Sequence, residues 1–439
     1  MSAKKKSRSK KKGTSKKKAS AGKQTVSNPL PLWNLLLLMT AGLLLILSAR
    51  SIGGEDLSSL DLLPFLLWGA SAVLLTLLLK IGRYQGPSAL PGAVLALSAL
   101  GVLVRSRMSG SVEGFGGFSL WIQPLGFVWI WVAWLMSRRN RLETWKHFGG
   151  LAYLLSLGVI VGLLVLGTRF RGAMYGPGGL TPSELLKLFV PLALAGFFAG
   201  QQKKWKGKGF WNPPPFQFLV LGGGWILLCG LLVLQRDIGM VVLLSFMMMV
   251  MLVQVTHSWS WAVLSTAAMA GGGWLVWTFL SHGARRLEAW LDPFADPTGS
   301  GWQVLQGLSG LYAGGLAGTG IGEGEPDRLP IAASDFVYAV YGEELGFIGC
   351  VLLILLLAGL IKQCAMSSSR NPNAFSSLVA IGLTAQLAIQ FFVNIAGVVT
   401  LLPVTGITLP YISQGGSSFW VASIQFGLLM GIGDLKKGH

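Results

Sequence analysis

Twelve hydrophobic stretches, each near the length that crosses a bilayer, constrain this chain more than any other feature. They fall at about 30–49, 62–79, 88–104, 118–136, 149–168, 182–200, 215–234, 238–254, 261–281, 335–361, 375–395 and 418–433. An apolar run of roughly 20 residues spans hydrocarbon as a helix, which satisfies its own backbone polar groups. The pattern predicts an all-α polytopic membrane protein with about 12 transmembrane helices. The third and eighth runs are short, and the Gly/Pro-broken stretch 396–417 reads as a re-entrant segment. A composition of 52% hydrophobic and 12% charged residues agrees with lipid, rather than water, as the main solvent.

The net charge of +18 is unevenly placed. Residues 1–27 hold eleven Lys/Arg and no acid, leaving about +7 for the rest. Residues 1–28 are therefore expected to form a disordered, basic cytoplasmic tail, and residues 29–439 a single multipass membrane domain. The tail reads as a topogenic arm or one that binds the headgroups of membrane lipids, with no nucleic acid as partner. The run Leu30–Ala49 exceeds the apolar core of a cleaved signal, so it is expected to remain as the first span. Cys229, Cys350 and Cys364 supply no disulfide framework, and four scattered histidines give no zinc-type spacing.

Loop charge sets the orientation. Lys80/Arg83, the run SRRNRLETWKH at 137–147, QQKKWKGKG at 201–209, Lys362, Arg370 and Lys436/Lys437 all fall on the side of the tail. Both termini are thus expected in the cytoplasm. The opposite side receives GED at 54–56 and the longest loop, 282–334. No periodic helix is predicted in that loop, although LSGLYAGGLAG at 308–318 is small and apolar enough to dip back into the protein. A loop of this length in a compact protein is usually functional or disordered.

Ionisable groups at membrane depth are costly and mark candidate sites. Glu184 and Lys187 stand at i, i+3 behind Thr181-Pro182-Ser183, as a self-neutralising helix start or as part of a cavity lining. Gln235-Arg236-Asp237 makes a polar turn between two spans. Glu343 and Glu344 sit inside the tenth span, where adjacent helical residues diverge by about 100°, so at least one is expected to face an aqueous cavity. Asp335 precedes them at the outer end. Gln386, Gln390 and Asn394 repeat every four residues and predict a polar stripe towards the bundle interior, as glue between helices. These groups converge on the outer half of the membrane. That arrangement suits a substrate with a hydrophilic head and an apolar tail, and does not by itself separate enzyme from transporter.

Two glycine patterns weigh less. Gly318–Gly324 has the look of a phosphate loop but lacks a preceding strand and the Lys-Ser/Thr pair, so flexible external backbone is the expected role. Gly415-Gly416-Ser417-Ser418 opens the last span, either to cradle a diphosphate on backbone N–H groups or to pack a tight turn.

LDPFADPTGSGWQVLQGLSGLYAGGLAGTGIGEG at 291–324 and SDFVYAVYGEELGFIG at 334–349 resemble the SEDS family, the shape, elongation, division and sporulation proteins of RodA/FtsW/SpoVE type. TPSELLK at 181–187, QRDIG at 235–239 and NIAGVVTLLPVTGITLPYISQGGSSFW at 394–420 agree in order. The chain departs from the family pattern at Arg236, where Pro is usual, and at Gln414, where Tyr or Phe is usual. It also reads Ala333-Ser334-Asp335 where His-Thr-Asp is common. Family members typically have ten spans, so a SEDS core of about 10 would here carry about 2 extra N-terminal spans.

The resemblance implies a peptidoglycan glycosyltransferase that polymerises lipid II on the outer face of the cytoplasmic membrane. It further implies inversion at the anomeric carbon, a class B penicillin-binding protein as partner, and Asp296 as the essential acid. Asp292 is the weaker match. A carboxylate at 296 can take the proton of the attacking sugar hydroxyl. The diphosphate leaving group calls for positive charge or a divalent cation, Mg2+ or Mn2+. Arg285 and Arg286 can contribute that charge, with Arg286 better matched to the family. Glu184, Lys187, Asp335, Glu343, Asn394, Ser417 and Ser418 complete the expected substrate-binding set. Two other classes stand beside the polymerase: a lipid II flippase, and a non-catalytic scaffold of the division or elongation machinery.

Overall fold

The computed structural model describes residues 39–44, 46–47, 62–87, 89–108, 112–170, 173–176, 181–329, 332 and 334–435. The basic tail, most of the predicted span 30–49, the acids at 54–56 and Lys436/Lys437 lie outside the described residues. Helices stand at the other eleven predicted positions. They are α1 (Leu63–Ile81), α2 (Ala89–Met108), α3 (Val112–Ser137), α4 (Gly149–Leu166), α5 (Leu186–Ala199), α6 (Pro215–Leu234), α7 (Ile238–Thr256) and α8 (Ser260–Phe279), and then, after the long loop, three more. Among the described residues, eight apolar helical runs are long enough to cross a membrane, one of them the 46-residue stretch Trp121–Leu166 that a 3-10 linker at Arg138–Phe148 breaks into α3 and α4. Ala89–Val104 and Gly416–Ile432 are shorter apolar helices. The chain is an integral membrane protein.

The loop 282–334 differs from expectation, because it holds two helices, α9 (Ser281–Leu291) and α10 (Trp302–Gly314). Only eleven residues long, α9 places Arg286 and Trp290 on one face, four apart, where both bond the carbonyls of the 400–405 segment. Such a stripe is too short to stand out from a polar loop. In α10, which takes in most of the small apolar run expected to dip back into the protein, the glycines are contact points. A methyl on Gly314 would stand 1.8 Å from the Gly342 carbonyl oxygen, and one on Gly307 2.6 Å from the Phe336 ring. Glycine lowers helix propensity but lets two helix backbones touch.

After α10 come α11 (Val337–Arg370), α12 (Ala374–Val398) and α13 (Gly416–Ile432). A break at Gly346 (φ 66°) interrupts α11, and the Asn373 side chain caps α12 by accepting from Phe375 N and Ser376 N at 2.9 and 3.3 Å. α12 is the axis of the bundle, packed by α5, α7, α11 and α13. Of its apolar stretch 78% is buried, against none of the corresponding stretch of peripheral α8, whose main helix contacts among the described residues are with α7 and α9. α3 and α13 pack along Gly427 and Gly431, one turn apart, whose methyl positions would meet Ile130 O and Ser137 Oγ. The all-α expectation needs one addition, a short antiparallel hairpin of β1 (Thr168–Phe170) and β2 (Ala173–Tyr175) pairing Thr168 with Tyr175.

The segment 399–415 carries no helix, yet Leu409, Tyr411 and Ile412 within it are fully buried. It runs back into the bundle as expected of the re-entrant stretch, and its Tyr411 carbonyl lies against Gly101 of α2. Irregular backbone at membrane depth persists only where protein groups satisfy it. The polar stripe of α12 supplies them: Gln390 Nε2 donates to Thr408 O at 2.9 Å and Asn394 Nδ2 to Ile407 O at 2.8 Å. Gln386 alone acts between helices, accepting from Gln425 Nε2 of α13 at 3.0 Å.

Candidate functional site

The start of α5 brings the first pair of charges. Lys187 Nζ meets Glu184 Oε2 at 2.6 Å, with Lys187 buried and Glu184 half-buried. Pro182 opens the first turn as expected, but the Thr181 side chain makes no cap. Its N–H donates instead to Ser417 Oγ at 3.1 Å, joining the turn to the head of α13. Across the bundle, Asp237 caps α7 by accepting from Met240 N at 3.0 Å, and Gln235 Nε2 donates to Ile160 O of α4 at 2.7 Å. The intervening Arg236 is exposed in a left-handed conformation (φ 64°).

α9 lays Arg286 over the irregular segment. Its Nη1 donates to Thr405 O at 2.8 Å and to Val404 O at 3.3 Å. A methyl on Gly406 (φ 79°) would stand 3.8 Å from Asp335 Oδ2 and 3.9 Å from Arg286 Nη2, so both groups face one point. Asn394 fixes Asp335 from behind, donating to its backbone carbonyl at 3.1 Å.

Electrostatics tie the two halves together. Burial pushes the Asp237 carboxyl above its ordinary range, against its bond from Met240, while Glu184 raises it and Lys187 and Arg286 pull it down. Burial likewise lifts Asp335, opposed by Ser334 and Arg286. Arg286 is lowered by burial and held up by Asp335 and Asp237. Glu184, Lys187, Asp237, Arg286 and Asp335 are thus linked in one charged cluster, with Lys187 buried and the other four half-buried. Sequence reasoning noticed Asp237 only as part of a turn; an acid standing before an apolar helix start was the signal for a cap. Gly406 was not singled out either, and nothing but its place in a Gly/Pro-broken run pointed to it.

Asp296 stands elsewhere, in the turn 292–301 between α9 and α10. It is exposed, and its Oδ2 accepts from Ser300 N at 2.7 Å and from Ser300 Oγ at 3.2 Å. The backbone and hydroxyl bonds from Ser300 hold the carboxyl below the usual aspartate range. The turn wraps so closely that a methyl on Gly299 would strike the carboxylate and one on Gly301 the Pro293 carbonyl. Ser300 was missed at the sequence level; its signal was the hydroxyl four residues after the acid. The Asp292 carboxylate accepts from Phe294 N at 3.1 Å, and Arg285 is exposed on α9.

The remaining expected residues take other positions. Glu343 and Glu344 are both buried, against the expectation that one faces a cavity. Glu343 Oε1 accepts from Glu325 N at 3.0 Å, while Thr319 N and Gly320 N donate to the carbonyls of Glu343 and Glu344 at 2.9 and 3.1 Å. The glycine run 318–324 is thus fastened over α11 rather than free, and it covers the two acids. Ser418 Oγ pairs with Thr408 Oγ1 at 2.9 Å and Ser417 with Thr181, so these hydroxyls tie the segment ends to the bundle. Among the described residues no three His, Cys, Asp or Glu side chains converge as metal ligands.

A helix bundle with a half-buried charged cluster under an irregular segment, and an exposed, backbone-tied acid in the loop above, defines a membrane protein with a polar site at one end of its helices. Residues 88–437 match the Cell cycle protein family of FtsW, RodA and SpoVE, and the chain belongs to that family. It is 30% identical over 412 residues to the peptidoglycan glycosyltransferase RodA of Mycobacterium tuberculosis H37Rv, covering 89% of this chain and 87% of that protein. Identity to the probable peptidoglycan glycosyltransferase FtsW of Nitrosococcus halophilus is 33% over 371 residues, 79% of this chain and 91% of the relative. Among solved structures, a chain from one titled "Structural coordination of polymerization and crosslinking by a peptidoglycan synthase complex" superposes with TM-score 0.61 at 26% identity, over 78% of this chain and 96% of that chain. The Thermus thermophilus rod shape determining protein RodA superposes with TM-score 0.54 at 25% identity, over 77% and 93%.

Proposed function

We propose that this chain is a peptidoglycan glycosyltransferase of the cytoplasmic membrane that polymerises lipid II on the outer face, for elongation or division, with both termini inside. The observation that carries the reading is Asp296: an exposed carboxylate, kept charged by its own turn, at the edge of a bundle whose outer surface is apolar. In the reaction, the Asp296 carboxylate takes the proton of the acceptor hydroxyl as that oxygen attacks the donor's anomeric carbon. The bond from that carbon to the diphosphate breaks, the diphosphate leaves with the electron pair, and the configuration inverts.

The depressed Asp296 carboxyl makes a weak base, so the proton transfer belongs late, when the attacking hydroxyl has become acidic. Arg285, exposed one residue before Arg286, is free to meet the developing negative charge of the leaving group. Arg286 holds the 404–406 backbone in place beside Asp335. A divalent cation, if bound, would be held mainly by the substrate's own diphosphate oxygens and would offset charge on the leaving group. A class B penicillin-binding protein is the partner that would cross-link the strand.

Purified protein given lipid II, without ATP or an ion gradient, is expected to release glycan polymer, which a flippase or scaffold would not do. Asp296→Ala is expected to abolish that polymer while leaving the protein folded. Normal polymerisation by this variant would remove Asp296 from the mechanism.

A further inference from the structure

The turn after α5 is built as a surface although it lies away from the charged cluster. Residues Gln202–Trp205 form a single helical turn whose Trp205 is fully buried. That ring meets Phe198 edge-on at 5.8 Å and Trp261 of α8 at 5.9 Å. The backbone is clamped to the α7–α8 turn: Gly207 N donates to Thr256 O at 2.7 Å, Trp261 Nε1 to Lys208 O at 2.8 Å, and Phe210 N to Ser260 Oγ at 3.3 Å. Lys203, Lys204 and Lys206 project into the open from this fixed support, and Lys208 is half-exposed. No acid occurs anywhere from Leu185 to Arg236 or from Ile238 to Leu287.

Beside the lysines, large aromatic side chains are left uncovered. Trp211 is 86% exposed, Trp259 79% and Phe216 73%. The 3-10 linker, with exposed Arg139 and Arg141 and half-exposed Lys146, adjoins through Gly196, whose methyl position lies 3.1 Å from Lys146 O. Glu143 is the one acid in that linker. Exposed Trp and Phe next to exposed Lys make the pattern of a membrane interface, with rings at headgroup depth and ammonium groups reaching the phosphates.

We propose that the Gln201–Trp211 turn, with Trp259 and Phe216, is a docking surface for anionic phospholipid headgroups. Lysines on a rigid backbone act as point charges for a mobile layer of phosphates, not as the forked donors of a closed anion pocket. A soluble phosphate would gain nothing from the uncovered rings; a phospholipid fills both needs at once.

The test uses the full chain in nanodiscs of phosphatidylcholine with a minor share of phosphatidylglycerol, followed by detergent washing and mass measurement of the retained lipid. The wild type is expected to keep phosphatidylglycerol above the supplied ratio. The variant K203Q/K204Q/K206Q/K208Q is expected to lose about tenfold of that enrichment, as the attraction per lysine near a charged surface allows. The variant K203R/K204R/K206R/K208R retains it. High salt erodes the wild-type enrichment by screening, and inorganic phosphate at matched ionic strength does not. Unchanged enrichment in the glutamine variant overturns the proposal, as does displacement by inorganic phosphate, which would mark a soluble-anion site. Should the glutamine variant not fold, enrichment of the wild type that is insensitive to salt overturns it equally.

Discussion

The charged cluster and the Asp296 turn treat acids in opposite ways. In the cluster, Asp237 and Asp335 are desolvated, pushed towards the neutral form, and balanced by Arg286 and Lys187. In the turn, Asp296 is open to solvent and stabilised as an anion by the residue four positions on. Burial makes a charge part of the architecture, since removing one partner strands the other. Exposure leaves a charge free to meet a substrate at little cost to the fold. On the proposed function, the cluster would support the site and the turn would carry the chemistry.

The sharpest way to break that contrast is to neutralise each region and compare activity with stability. Asp296→Asn keeps the size of the side chain and removes its basicity. Polymerisation of lipid II is expected to fall by about a thousandfold or more, within the range for losing a positioned base, with an unchanged unfolding midpoint in detergent. A destabilised but active protein would reverse the two roles.

Lys187→Met is the complementary change. Lys187 is buried and its ammonium lies 2.6 Å from Glu184, so the variant leaves Glu184 without its cation in a half-buried place. A loss of about 3 kcal/mol is expected, as for a broken buried pair, read from denaturant unfolding. The double variant with Glu184→Gln should recover part of it. A Lys187→Met protein of full stability and no activity would instead place this lysine on the substrate.

Gly314→Ala tests the contact that holds the loop above the bundle. The added methyl would meet the Gly342 carbonyl at 1.8 Å, so α10 must move away from α11. Overpacking of this kind costs about 1–3 kcal/mol, and polymerisation should fall with it because Asp296 enters on the same loop. Full activity at reduced stability would uncouple the loop's position from the chemistry.

How much of this was legible in the sequence depends on which physics each element expresses. Helices driven by long apolar runs were readable, because length against bilayer thickness is a strong signal that neighbours barely modify. The stripe of Gln386, Gln390 and Asn394 was readable as inward-facing, since a helical period needs no knowledge of the partner. Its main partner was not readable: the 399–415 segment is held by tertiary hydrogen bonds that no local pattern announces. α9 and α10 were misread as loop because one is a short amphipathic turn and the other is rich in glycine, whose propensity penalty is outweighed by close packing. Glu343 and Glu344 were expected to reach a cavity because helical geometry splays them apart, but the glycine run covers both. Ordered motifs and the polar groups around Arg286 pointed to the end of the molecule where the charged cluster gathers, while the hydrogen bonds to Asp296 from Ser300 required the folded turn.

The smallest expected effect probes that turn most directly. The Ser300 backbone N–H and hydroxyl both donate to Asp296 Oδ2, and both favour the ionised form. Ser300→Ala removes the hydroxyl and keeps the backbone bond, so the carboxyl should rise only part of the way towards the ordinary aspartate value of about 3.9. A general base works when deprotonated, and kcat/KM falls as pH drops through its pKa. The acid limb of the pH–rate profile is therefore expected at higher pH in the variant than in the wild type. At neutral pH both proteins carry the carboxylate, and the variant, a slightly stronger base, should polymerise at least as fast. An acid limb that stays in place when Ser300 loses its hydroxyl would mean that a different group titrates in the reaction, and the division of labour between turn and cluster would have to be redrawn around that group.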